Sequence, residues 1–259
     1  MRGILFVFYP NSIFIKMNIK NTLQFYADKY ENEEFLKDDP SWFMHQVEGS
    51  SNQEIFAFIA SCLSYGSRKQ FFPKIQFIID KSDGDVLNWI RNGSFEEDIP
   101  DNENCYYRLY NNHIMNQFLH ALKDLIEEYG TLREYIKKNA NDGYTAVTAI
   151  TNYFNKKDIQ TIIPKDTSSA CKRVCMYLRW MVRDHSEVDL GLWKDLIDKR
   201  TLIMPLDTHV LQESCKLGLL KSKTTSMGAA KKLSAMMLDI FPTDPLKGDF
   251  ALFGYGVNH

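Results

Sequence analysis

The sequence predicts an all-α fold, and three observations carry that expectation. Apolar residues recur near every 3.6 positions from Asn21 onward. Alternating β-branched runs are few, and no glycine-rich phosphate loop is present. The spacing predicts helices over 22–30, 53–63, 69–81, 85–92, 112–128, 131–138, 144–154, 168–183, 190–197, 208–217 and 226–240.

Local chemistry justifies several of these boundaries. Pro164 breaks the chain, and Asp166, Thr167 and Ser168 offer caps to the helix expected over 168–183. In "PLDTHVLQ" (205–212), Asp207 has the chemistry of an N-cap for a helix beginning at Thr208. Pro242 stops the helix of 226–240. The acidic, turn-rich stretch 92–104 reads as a surface loop or a junction, and no internal repeat or low-complexity linker is evident. The opening "MRGILFVFYPNSIFIKM" has an early arginine and an apolar run, as a signal peptide does, but Pro10, Asn11 and Ser12 interrupt it and no small-residue cleavage site follows. Residues 1–16 are therefore expected to be a non-native or disordered extension, dispensable for folding, ahead of a single two-lobed domain over 17–259.

Composition bounds the class. At 259 residues, with 44% hydrophobic and 25% charged, the chain suits a folded protein rather than a disordered or fibrous one. The five cysteines are odd in number and scattered, without the paired spacing that holds zinc or iron–sulfur clusters. A reducing cytoplasmic setting, a monomer, no membrane association, and no metal or cofactor are expected. A net charge of −2 excludes a uniformly basic nucleic-acid binder. The charge is uneven, however: 165–183 carries Lys165, Lys172, Arg173, Arg179 and Arg183 against Asp166 alone, and 216–232 adds five lysines with no acid.

On a helical wheel with Lys172 as origin, Cys171, Val174, Cys175, Leu178, Met181 and Val182 occupy roughly 180° to 300°, a stripe suited to core packing. Arg179 and Arg183 fall within about 20° of Lys172 on the other side. Three aligned cations repel one another. The line is expected to meet an anion, phosphate above all, and its clustered charge to favour a neutral, nucleophilic Lys172 amine. The alternative is a solvated helix face.

These residues resemble the helix-hairpin-helix DNA glycosylases, with the nearest likeness to the bacterial and archaeal 8-oxoguanine DNA glycosylase/lyases. The resemblance rests on Lys172 near a helix start, Leu178-Arg179 two turns on, and the downstream Pro205-x-Asp207-Thr208-His209-Val210. It extends over 55–70 and 162–259, and the ending "DFALFGYGVNH" is similar to that of one bacterial branch of the superfamily. It implies a two-lobed helical DNA-glycosylase-like fold with a variant helix-hairpin-helix element. It also implies duplex DNA carrying a damaged base, an oxidised purine, as partner, with Lys172 as nucleophile and Asp207 assisting. Arg68, Lys69, Lys165, Arg173, Arg179, Arg183, Thr208 and His209 would then contact DNA, the last two at an open helix N-terminus.

Departures are equally specific. "IIPKDTSS" (162–169) lacks the glycines of the family hairpin, Gly66 in "CLSYGSRKQF" stands where a DNA-probing glutamine is expected, and the cluster cysteines of one branch are absent. Lys172 and Asp207 lie 35 positions apart, a long separation that "DHSEVDLGLWKD" (184–195) accounts for as an insertion. A DNA- or RNA-binding module that kept the fold without the chemistry, and a helical protein-interaction domain, are the competing readings. Six aromatic residues, Trp42, Phe43, Tyr65, Trp180, Phe253 and Tyr255, are available to sandwich a base, with core packing as the alternative for most.

Overall fold

The computed structural model describes residues 10–157, 159 and 162–259, with side chains from Asn18 onward. Long α1 (Pro10–Tyr30) is followed by single-turn α2 (Glu33–Leu36) and α3 (Ser41–Met44), then α4 (Ser50–Leu63), α5 (Arg68–Ser82), α6 (Val86–Arg91) and α7 (Phe95–Asp98). A hairpin of β1 (Cys105–Tyr107) and β2 (Tyr110–Asn111) leads into α8 (Asn112–Tyr129), α9 (Leu132–Asn139) and α10 (Gly143–Lys156). Next come α11 (Lys172–Val182), α12 (Thr208–Lys216), α13 (Met227–Ile240) and α14 (Lys247–Asn258). The mostly helical architecture agrees with the sequence expectation. Of the extension expected over 1–16, residues 1–9 and the side chains of 10–16 lie outside the described residues.

Side-chain caps set many of the starts. Asn111, Thr131, Asp142, Asp207 and Ser226 each accept a backbone N–H from the first turn of the following helix, contributing about 1 kcal/mol apiece. At α10 the cap is reciprocal, because Thr145 also receives the N–H of Asp142 at 3.0 Å. The helix is further located by its first residue, Gly143, whose N–H donates to Thr201 Oγ1 at 2.8 Å. A Cβ on Gly143 would lie 2.5 Å from the Thr201 carbonyl oxygen and 2.7 Å from Leu202 Cα. Backbone cannot rotate aside as a side chain can. Gly143→Ala is therefore expected to cost about 1–3 kcal/mol, read as a lower urea midpoint at unchanged m-value.

Helix α4 runs through the centre. Residues 55–63 are all buried, so this helix is apolar round nearly its whole circumference. Phe58 stacks on Phe154 of α10 at 5.4 Å and meets Tyr177 of α11 edge-on at 4.9 Å. Helix α14 lies along α1, with Gly254 directly against the Tyr30 ring.

Three expectations are corrected. The stretch 190–197 forms turns rather than a helix, because its N–H groups are drawn to the end of α11: Leu190 and Gly191 donate to the Trp180 carbonyl, and Trp193 to that of Met181. Trp193 is fully buried there, its indole N–H donating to Glu54 at 2.9 Å. The helix expected from 168 starts instead at Lys172, after Cys171 turns the chain with φ 48°. The segment 92–104 contains one helical turn, α7. Among the described residues no helix is long and apolar enough to cross a membrane.

Candidate functional site

Two helix starts face one another across a cleft of about 520 Å³. The left-handed turn at Cys171, which is itself buried, makes Lys172 the first residue of α11. Opposite it, Pro205 and Leu206 are buried, and Asp207 follows with extended backbone as the N-cap of α12. Asp207 Oδ1 accepts the Val210 N–H at 2.9 Å, while Oδ2 lies 3.1 Å from Lys172 Nζ. Each side chain keeps 37% of its surface exposed. The capping oxygen and the lysine-facing oxygen are thus different atoms of one carboxylate. Burial raises the Asp207 carboxyl, but the Lys172 ammonium and the Val210 N–H together bring it below the usual carboxylate range. The group is held ionised beside the amine.

A narrower cavity of about 220 Å³ adjoins the cleft and shares Asp39, Arg68, Lys172, Met176 and Asp207 with it. Phe35, Phe250 and Phe253 supply aromatic surface there, and Asp249 of α14 adds a carboxylate. Burial pushes the Asp249 carboxyl up, more than neighbouring Arg179 and Lys172 bring it down. Asp39 is fixed by the Ser41 N–H at 3.0 Å and the Ser41 hydroxyl at 2.7 Å. Sequence reasoning missed Asp39 and Phe35 in this role, and picked out Asp249 and Phe250 only as part of a terminal motif. Single residues on short α2 and in the turn after it carry no periodic signal.

The basic line on α11 requires correction. Arg179 and Arg183 are buried, and neither reaches a phosphate in solvent. Arg179 Nε pairs with Asp189 at 3.2 Å, and its Nη1 with Asp249 at 2.5 Å. Arg183 pairs with Asp189, with Asp244 at 2.8 Å and with Glu31 at 2.6 Å. Burial works against the Arg183 charge, yet Asp189, Asp244 and Glu31 hold its pKa above the ordinary value. The anions that these guanidiniums needed are carboxylates of the same chain. Their charge is therefore spent internally, and the clustered-cation argument for a neutral Lys172 amine loses its basis.

The other expected contacts divide. Arg68 lines both cavities, and Arg68 and Lys69 are exposed in the first turn of α5. Lys165 is exposed on the segment before α11. Arg173 turns inward, donating to the Cys62 carbonyl at 2.8 Å and to Tyr110 Oη at 2.5 Å. Thr208 and His209 are exposed at the start of α12, Thr208 on the cleft and His209 on the narrower cavity. The His209 ring packs against Gly256 and lies 3.9 Å from Glu213. Gly66, on the cleft wall, has the Arg108 guanidinium directly over it. Of the six aromatics, Tyr65 lines the cleft and Phe253 the smaller cavity; Phe43 and Trp180 are core. Trp42 is 41% exposed and lines neither cavity, while Tyr255 stacks on His259.

Residues 39–258, which include Lys172, Asp207 and the whole cleft wall, match a family described as "Protein of unknown function (DUF2400)". The chain belongs to this family. The match begins at Asp39, so both carboxylates shared by the two cavities, Asp39 and Asp207, lie inside it. No curated protein and no solved structure matches the chain.

Proposed function

We propose that this protein is a DNA base-excision glycosylase that attacks the sugar of a damaged nucleotide through Lys172, with Asp207 as its proton acceptor. The observation that carries the reading is the ion pair at 3.1 Å between two helix starts, open to a cleft. An amine beside an ionised, half-buried carboxylate is a nucleophile with its base already in hydrogen-bonding reach. A purely structural ion pair needs no cavity in front of it.

The chemistry balances with these two groups. Asp207 takes one proton from the Lys172 ammonium, and the freed electron pair attacks C1′. The glycosidic C1′–N bond breaks, its electrons leaving with the base, which takes up the proton that Asp207 had accepted and so returns Asp207 to its carboxylate form. The amine-linked sugar can then open to a protonated Schiff base, from which either water or strand cleavage releases the enzyme. The exposed cations Arg68, Lys69 and Lys165 provide phosphate contacts around the cleft, a smaller basic surface than the sequence alone implied. The aromatic cavity beside Lys172 would receive the extruded base, for which an oxidised purine is the substrate the resemblance favours.

Borohydride reduction tests the covalent intermediate. Wild-type protein mixed with duplex DNA carrying an oxidised purine is expected to give a stable protein–DNA adduct. Absence of an adduct on oxidised, alkylated and abasic duplexes alike, with DNA binding retained, would favour a non-catalytic nucleic-acid-binding module.

A further inference from the structure

The second basic run of the sequence, 216–232, holds five lysines and no acid. Its backbone is fixed by the fold. Leu219 and Leu220 are buried, and their N–H groups donate to the Ser214 carbonyl at 2.8 and 3.2 Å, folding the chain back onto α12. Ser222 Oγ then donates to the Thr224 carbonyl at 2.8 Å. Ser226 bridges to Ser169 in the antiparallel sense and caps α13. Ser169 and Thr225 line the larger cleft but not the smaller cavity. The run is therefore a rim of the site, on the part of the cleft away from the aromatic cavity.

With its leucines turned inward, the run presents its lysines outward. Lys221, Lys223, Lys231 and Lys232 are all exposed. Two of the five lysines are already engaged. Lys216 meets Glu213 at 2.8 Å, and Lys231 lies 3.0 Å from the centroid of the Tyr144 ring, in the field of Asp142. Lys221, Lys223 and Lys232 have no carboxylate within ion-pair distance among the described residues. On the segment that carries Ser169, Lys165 is exposed too, and its acidic neighbour Asp166 accepts the Ser168 N–H at 2.8 Å.

The contrast with α11 is chemical. Arg179 and Arg183 are neutralised by carboxylates of their own chain, whereas these lysines are left to repel one another over a screening length of about 8 Å at physiological salt. A polyanion laid along them relieves the repulsion and releases its counterions. Ammonium groups on flexible stems act as point charges and suit a row of phosphates, which needs no planar fork. We infer that Lys165, Lys221, Lys223 and Lys232 form a second phosphate-binding tract, which carries the DNA backbone beyond the nucleotide held at Lys172. Arg68 stands where the two cavities meet, so it and the tract take different stretches of backbone. The inference rests on the DNA-directed reading given above, but not on its covalent step.

The salt dependence of binding of the full chain to undamaged duplex DNA tests the tract. Each phosphate contact contributes about 0.9 to the slope of log K against log salt. The triple variant Lys221→Gln, Lys223→Gln, Lys232→Gln is expected to lower the slope by about 2–3, with its unfolding midpoint at the wild-type value. Lys231 stays in place because it packs on Tyr144. A control triple, Lys137→Gln, Lys138→Gln, Lys156→Gln, makes the same change in net charge at residues that line neither cavity, and should keep the wild-type slope. An unchanged slope in the first variant, or an equal fall in the control, overturns the tract and returns these lysines to a solvated face. Displacement of the duplex by polyglutamate at equal charge concentration would also overturn it, in favour of an acidic protein partner. A wild type that forms no borohydride adduct yet shows the lysine-dependent slope removes the covalent chemistry and supports the tract.

Discussion

Arg183→Gln is expected to cost about 3–5 kcal/mol, the scale on which removing one partner of a buried ion pair destabilises a protein. Arg183 is fully buried and meets Asp189, Asp244 and Glu31. Glutamine cannot neutralise three carboxylates, and water cannot replace the lost charge. A loss of that size consumes a large share of the 5–15 kcal/mol typical of a folded domain. The carboxylates come from the end of α1, the segment after α11 and the turn before α14, so the damage extends to the elements around the smaller cavity. Urea denaturation is the check, with a much lower midpoint expected. The salt dependence of DNA binding, measured on the folded fraction, should remain that of wild type, because Arg183 touches no solvent. A flattened slope in a fully stable variant would restore the surface-stripe interpretation.

That reversal shows where sequence reasoning reached its limit. Helical periodicity correctly aligned Lys172, Arg179 and Arg183 on one side of α11. It could not reveal what covers that side. The neutralising acids sit at positions 31, 189, 244 and 249, and only the folded topology brings them to one line. Asp207 was legible because capping is local: the acid, the following threonine and the helix start are neighbours in sequence. The pairing of Lys172 with Asp207 depends on a contact 35 positions apart, and it was legible only through a family resemblance.

Helix α14 was missed for a different reason. Gly248, Gly254 and Gly256 depress its intrinsic propensity, yet Met237, Tyr30 and His209 occupy the space their missing side chains leave. Tertiary packing makes the helix. The hairpin was invisible because strands of three and two residues carry no measurable alternation. The stretch 190–197 misled in the opposite sense. Leu192, Trp193, Leu196 and Ile197 have helical spacing, but Gly191 at φ 64° and hydrogen bonds to α11 bend the backbone into turns.

Lys172→Gln and Asp207→Asn are expected to fail in distinct ways. Lys172→Gln removes the only amine at the ion pair, so borohydride trapping should vanish. Undamaged-duplex affinity should stay within a few-fold, since this residue would supply one phosphate contact at most. Asp207→Asn keeps an oxygen that can accept the Val210 N–H, and asparagine is itself a good N-cap. Its unfolding midpoint should therefore remain near wild type. What it loses is the proton acceptor 3.1 Å from Lys172 Nζ, and general-base removal is expected to slow excision by about 10²–10⁴-fold. The two functions of Asp207 reside on separate oxygens, which makes the separation measurable. A stable Asp207→Asn variant that excises at the wild-type rate would leave Asp207 as a helix cap alone. Slow excision without loss of stability would place the proton transfer on Oδ2.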